Sequence, residues 1–245
     1  MKRILTSDAE STYTNALVYG QPGTGKTYSA RTLPGKTIII SAESGLKSLR
    51  DTDIEAWEVE SWKDFEDAID YLLKSNDETN RIDNIFVDSL TEMSKICIDH
   101  ILEERISVYQ ARQKNMATIF KDQRTLEDYG IAKGRIDRTI RSFRDLRYNV
   151  LFSALSKIEK DQLRGTSKAM PMIDPSSMAE SLPGIFDCVL HSRSDERDGE
   201  VIFWWETMNT EKWFAKDRSG NLDPQIPQDW NIILNAFKPT SKKGK

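Results

Sequence analysis

Thiols and imidazoles are scarce in this chain: two cysteines, Cys97 and Cys188, and two histidines, His100 and His191, among 245 residues. The cysteines lie far apart in apolar runs. They read as small buried hydrophobes in a reducing cytoplasm, which excludes a disulfide framework. No Cys/His cluster has zinc spacing, so a structural zinc site is excluded too. No apolar run approaches the ~20 residues of a membrane-spanning helix, so no membrane association is expected. Lys2 and Arg3 have no apolar stretch behind them, so a secretory signal is not expected. Positive charge is not in surplus either. The formal net charge is −4, and any contact with nucleic acid has to be argued from a local cluster. Repeats and low-complexity tracts are missing. What remains, 38% hydrophobic and 30% charged residues, suits a globular α/β domain with a modest core.

Strands and helices alternate through the first half, the pattern of a mostly parallel sheet with helices on its faces. Buried strands are expected at 16–19, 37–41, 84–88 and 149–154, with a short one at 56–59. Ser61 with Asp64, and Thr125 with Asp128, form plausible capping boxes for two helices. The first buries Phe65, Ala68, Ile69 and Leu72, and the second Tyr129, Ile136, Ile140 and Phe143. Residues 90–106 form another helix, followed at 107–123 by an extension or excursion. Residues 157–184 show no periodicity and read as one long functional or disordered loop. The last third turns to antiparallel strands, with Asp198-Gly199 as a hairpin signal. The domain is expected over 15–237, between an N-terminal tail (1–14) and a disordered basic tail (238–245).

Gly20-Gln21-Pro22-Gly23-Thr24-Gly25-Lys26-Thr27 matches G-x-x-x-x-G-K-[ST] in full. Glycines let the backbone turn its N–H groups inward onto an anion. Lys26 reaches the β- and γ-phosphates, and the Thr27 hydroxyl ligates Mg²⁺. The context agrees: an apolar strand precedes the loop, and a helix from Tyr28 to Leu33, stopped by Pro34-Gly35, turns its positive end on the same phosphates. ATP and Mg²⁺ are the expected cofactors, held by Gly20–Thr27 and Tyr28. Asp88 ends a buried apolar strand, the usual second element of such a site, and is the expected partner of Thr27 at the metal. Glu43 lies just beyond the second strand, where residues border the ligand crevice of a parallel sheet. It is a candidate for polarising the attacking water. Lys216 and Arg218, two residues apart at a strand end, share a side and could together neutralise a γ-phosphate.

Positive charge does cluster locally. Residues 131–168 hold ten basic and four acidic residues. Arg135, Arg138, Arg141, Arg144 and Arg147 recur every three positions and so spiral around their helix instead of forming one stripe. They read as a solvated face paired with acids such as Asp137 and Asp145. Lys157, Lys160, Arg164 and Lys168, beyond the last core strand, are the candidate DNA contacts, able to follow a phosphodiester backbone without reading bases.

The chain resembles the RecA-like ATPases, and among them the short bacteriophage single-strand annealing group of the Sak-four type. The resemblance covers Asn15 to Asp223. It rests on Leu17-Val18-Tyr19-Gly20, Leu33-Pro34-Gly35-Lys36, Ser41-Ala42-Glu43-Ser44-Gly45-Leu46, Phe86-Val87-Asp88-Ser89-Leu90-Thr91, Asp128-Tyr129-Gly130, Leu182-Pro183-Gly184-Ile185-Phe186-Asp187 and Ala215-Lys216-Asp217-Arg218-Ser219-Gly220. It implies a three-layer RecA-like core with an antiparallel C-terminal extension, and a homo-oligomer, ring or filament, with ATP at the subunit interface. Glu43 would activate water, Lys216 and Arg218 would reach a neighbour's ATP, and the 157–184 segment would carry single-stranded DNA. Ser153 or Ser156 stands where relatives place a polar γ-phosphate sensor. A phage-type ATPase in the bacterial cytoplasm is the leading expectation, with a single-strand-binding protein as a further candidate partner. The alternatives are a loader or mediator with little turnover and a P-loop kinase acting on a small molecule.

Overall fold

The computed structural model describes residues 13–75, 82–112, 123–161 and 165–238. Most of both expected tails, and Arg164, lie outside the described residues.

Ten strands form the sheet. In chain order they are β1 (Asn15–Gly20), β2 (Thr37–Ser41), β3 (Glu55–Glu58), β4 (Asn84–Asp88), β5 (Asn149–Asp161), β6 (Thr166–Pro171), β7 (Cys188–Arg197), β8 (Glu200–Glu206), β9 (Lys216–Asp217) and β10 (Gln225–Pro227). The spatial order is β10-β8-β7-β1-β5-β4-β2-β3, with β6 on β5 and β9 on β7. From β3 to β7 every neighbour is parallel. The C-terminal additions β8, β9 and β10 are antiparallel.

Parallel strands buried on both faces need apolar side chains on both. Alternation along β1 shows how they are divided. Leu17 and Tyr19 join a core with α1 (Trp62–Lys74), α2 (Leu90–Arg112) and α3 (Leu126–Arg144), whereas Ala16 and Val18 join a second core on the other face. That second core is closed by α4 (Trp230–Ala236), whose Trp230 packs on Trp205 at a ring separation of 4.6 Å. Helices therefore cover both faces. Both predicted capping boxes form: Ser61 with Asp64 starts α1, and Thr125 with Asp128 starts α3. Each satisfies two otherwise orphaned N–H groups. The arginine spiral on α3 is paired as its acids suggested, with Arg141 on Asp137 at 2.7 Å and Arg144 on Asp145 at 2.7 Å.

Two expectations are corrected. The 157–184 segment is not one long loop. β5 runs on to Asp161 and pairs antiparallel with β6, and 3₁₀ turns follow at Ser176–Met178 and Leu182–Gly184. Both faces of this ribbon carry polar residues (Lys157, Glu159, Lys160), so no apolar alternation reveals it, and backbone hydrogen bonds hold it. The segment after the phosphate loop is a five-residue 3₁₀ helix, Tyr28–Thr32, and not an α-helix. The Ser29 hydroxyl donates to the Lys26 carbonyl at 2.6 Å and the Thr32 hydroxyl to the Ser29 carbonyl at 2.9 Å. Pro34 then forces Leu33 to extended geometry. α2 runs on to Arg112, so of the two readings offered for the segment after 106 the helical extension holds that far.

Candidate nucleotide site

β1 delivers the chain at Gly20, and the loop that follows folds back over the carboxyl rim of the sheet. Gly23 and Gly25 have φ of 78° and 81°, a region that L side chains rarely adopt. At Gly25 space forbids a side chain as well, because a Cβ would lie 2.6 Å from Gln228 Oε1 and 3.1 Å from the Phe203 ring. Two groups brace the loop from the C-terminal strands. The Ser192 hydroxyl donates to the Thr24 carbonyl at 2.7 Å, and Gln228 Nε2 to the same carbonyl at 2.9 Å. Because the following helix is a single 3₁₀ turn, little macrodipole is available. Anion recognition therefore falls on the loop N–H groups and on Lys26.

The Lys26 ammonium donates to the carbonyls of Gly20 and Gln21 at 3.0 and 2.8 Å. Burial lowers its pKa, and the charges of Asp88 and Glu43 oppose that shift. Thr27 Oγ1 donates to Asp88 Oδ2 at 2.7 Å. The Ser153 hydroxyl donates to the other carboxylate oxygen, and Asp88 is fully buried. Gly45 lies against this pair, and a Cβ there would come within 3.2 Å of both Thr27 Oγ1 and Asp88 Oδ2.

Glu43 comes from the turn after β2 and accepts a hydrogen bond from the Ser89 hydroxyl. Burial raises its pKa; the Ser89 hydrogen bond opposes the rise and the nearby charges of Asp88 and Glu92 add to it. A carboxylate held above its ordinary range is a better proton acceptor than a solvated one. Between the loop and Glu43 lies a cavity of about 530 Å³, bounded on its far side by Ser48, Leu155 and Phe203. Lys26, Thr27, Glu43 and Asp88, from three separate stretches of sequence, thus converge on one rim.

The residues present fit a nucleoside triphosphate and magnesium. Thr27 and Asp88 offer a hydroxyl and a carboxylate side by side, the hard oxygen donors magnesium takes from a protein when phosphates and water supply the rest. Among the described residues no group of three or more His, Cys, Asp or Glu side chains could hold a metal by itself, as expected where the substrate provides most of the ligands.

Lys216 and Arg218 lie elsewhere. Lys216 pairs with Val189, and Asp217 with Cys188, at the start of β7, whereas the phosphate loop leaves β1 opposite Ser192. They therefore occupy the amino rim, at the far end of the strands from this chain's own phosphate loop. Lys216 Nζ donates to the carbonyls of Pro183 and Phe186 at 3.1 and 2.8 Å, and Arg218 pairs with Asp187 at 2.9 Å while half exposed. Ser153 is committed to Asp88, and the buried Ser156 hydroxyl has no partner. Of the candidate DNA contacts, Lys157 pairs with Glu159 at 2.6 Å and Lys168 donates to neutral Asn209 at 2.9 Å. Lys160 is exposed on β5.

Sequence reasoning missed Ser192, Phe203 and Gln228, and gave Gly45 no role of its own within the Ser41–Leu46 stretch. The first three belong to no motif, and only the pairing of β7, β8 and β10 beside β1 brings them to the loop. His191, next to Ser192, was also unassigned. It is 9% exposed, and its Nδ1 has no partner. Burial, with the adjacent Arg193 charge, holds its pKa down to about 4 against 6.5 for the free side chain. The unfolded chain therefore binds the extra proton first as pH falls. Stability present above pH 6.5 should be lost progressively between 6.5 and 4, by on the order of 3 kcal/mol at about 1.4 kcal/mol per unit. Urea unfolding at pH 7 and pH 4.5 should show this loss, and His191→Phe should flatten it.

A strand, a glycine-bearing turn with its lysine and threonine, and an acid at the end of a nearby buried strand define a P-loop nucleotide-binding domain of ATPase type. The chain belongs to the AAA domain family, whose profile matches residues 12–219. No curated protein matches it. Among the described residues, no helix is long and apolar enough to cross a membrane.

Proposed function

We propose that this domain is a RecA-like, single-stranded-DNA-dependent ATPase that anneals strands in phage-type recombination. It would work as a head-to-tail homo-oligomer with ATP at the subunit interface. One observation carries the reading. Lys216 and Arg218 sit at the opposite rim of the sheet from their own phosphate loop, so a role on ATP requires the nucleotide of another copy. Such a contact is heterologous and generates a ring or a filament.

In this reading the loop N–H groups and Lys26 hold the β- and γ-phosphates, and Thr27 and Asp88 hold magnesium. Magnesium held by Thr27 and Asp88 would supply neutralisation of the phosphate charge. Glu43 accepts the proton of a water whose oxygen attacks the γ-phosphorus. The bond to the β-phosphate oxygen breaks, and ADP and phosphate leave. Arg218 of the next copy would stabilise the charge that develops.

The test is ATP hydrolysis with and without single-stranded DNA at two salt concentrations. Stimulation that weakens with salt supports phosphate contacts; absence of stimulation overturns the DNA-dependent reading. Phosphate appearing on a small acceptor would indicate a kinase instead, and ATP held without turnover would indicate a loader. The interface is tested by mixing. Lys26→Ala and Arg218→Ala should each be inactive alone, whereas an equal mixture should recover activity at about a quarter of its interfaces, where an intact loop meets an intact arginine. No recovery would place Arg218 in cis or in a structural role.

A further inference from the structure

β7 and β8 continue past the phosphate loop as a hairpin, closed by Asp198 and Gly199 at φ of 54° and 81°. Side chains alternate between its faces. The face that includes Phe203, paired with Ser194, turns toward the nucleotide cavity. The other face pairs Arg193 with Trp204 and carries a continuous stack. Tyr19, the residue before Gly20, lies 5.0 Å from the His191 ring, and His191 stacks on Trp213 at 5.7 Å. The Arg193 guanidinium sits 5.3 Å from Trp213 and 5.7 Å from Trp204, and Arg197 caps Trp204 at 5.7 Å. Beside it, Lys168 of β6 lies 5.6 Å from the Phe214 ring. β6 is joined to this segment by the Ala169–Trp213 bridge.

Arg193 shares the lack of an ion pair with Arg50, Arg138 and Arg147 among the described residues, and differs from them in lying beside two indole rings. Most arginines of the fold are neutralised by carboxylates, as Arg141 is by Asp137 and Arg218 by Asp187. Arg197 keeps only a 3.8 Å contact with Asp195. Arg193 has no ion pair among the described residues, and Lys168 only neutral Asn209. Two indoles fix the Arg193 guanidinium without using its N–H donors, so those donors are pre-set for an anion outside the protein. Evenly spaced anions that also offer flat rings to the partly exposed Trp213 are what single-stranded nucleic acid presents.

We propose that this face, with Arg193 and Lys168 contacting phosphates, buried Trp204 backing the guanidinium and partly exposed Trp213 meeting bases, is the single-stranded DNA site. The inference rests on the DNA-binding reading above. Of the ribbon cations it keeps Lys168 and leaves out Lys157, which is already neutralised by Glu159. It also places the strand one end of a stack away from Tyr19 and the phosphate loop. Tyr19 is itself tied to this segment, since its hydroxyl donates to the Phe214 carbonyl at 2.6 Å.

The test is fluorescence anisotropy of labelled oligothymidylate with the full chain, titrated at several salt concentrations. Arg193→Gln should weaken binding about tenfold and reduce the slope of log affinity against log salt by roughly one, as loss of one phosphate contact requires. Lys168→Gln should do the same. Its side chain is tied only to Asn209, so it serves if Arg193→Gln melts early. If the wild-type chain fails to bind the oligonucleotide, the DNA-binding reading falls and this site with it. If the wild type binds and both variants match it in affinity and slope, the reading stands and the site is overturned.

Discussion

Lys26→Ala should lower ATP turnover by at least roughly 10²–10³-fold, the range found when a positioned donor is removed from a developing oxyanion, and should weaken nucleotide binding with it. The ammonium is the one cation this chain brings to its own cavity among the described residues; Lys216 and Arg218 are at the other end of the strands. It is also partly desolvated, so its charge acts through a lower dielectric than water. Steady-state hydrolysis together with binding of a fluorescent nucleotide measures both effects. A variant that hydrolysed ATP at the wild-type rate would remove the phosphate loop from the mechanism.

Glu43→Gln should separate chemistry from binding. Glutamine is nearly isosteric and can still contact Ser89, but it cannot take a proton, and loss of a general base costs roughly 10²–10⁴-fold. Nucleotide affinity should stay within a few-fold, because Lys26, Thr27 and Asp88 are untouched. The pH profile gives a second readout. A base works when deprotonated, so the wild-type rate should rise with pH through the Glu43 pKa. Burial, with the charges of Asp88 and Glu92, puts that pKa above the ordinary glutamate range. The rise should vanish in the glutamine variant, and its persistence would assign the base to another group.

Legibility from sequence followed the range of the interaction. The phosphate loop, the capping boxes at Ser61 and Thr125, and the Asp198-Gly199 turn depend on neighbours a few residues away, and all three took their expected form. Buried parallel strands such as Ile38–Ile40 and Ile85–Val87 announce themselves by continuous apolar character. The β5–β6 ribbon was invisible because both of its faces are polar. α4 was invisible because seven residues are too few to show a helical period. Trp230 reveals its role only where its indole N–H donates to the Ser29 hydroxyl at 3.0 Å, some two hundred residues away in the chain.

Local chemistry written into the sequence was enough to define a phosphate-loop turn, the threonine and aspartate of its motif pattern, and a parallel α/β scaffold, because each rests on backbone preference or on short-range pattern. Which residues stand beside that turn was decided only by the tertiary structure. Strand order places Ser192, Phe203 and Gln228 against the loop, sends Lys216 and Arg218 to the opposite rim, and brings Arg193 beside two tryptophans. The physical reason is that strand pairing joins segments by backbone hydrogen bonds, which carry no residue code, so neighbours across the sheet follow from topology and not from any motif.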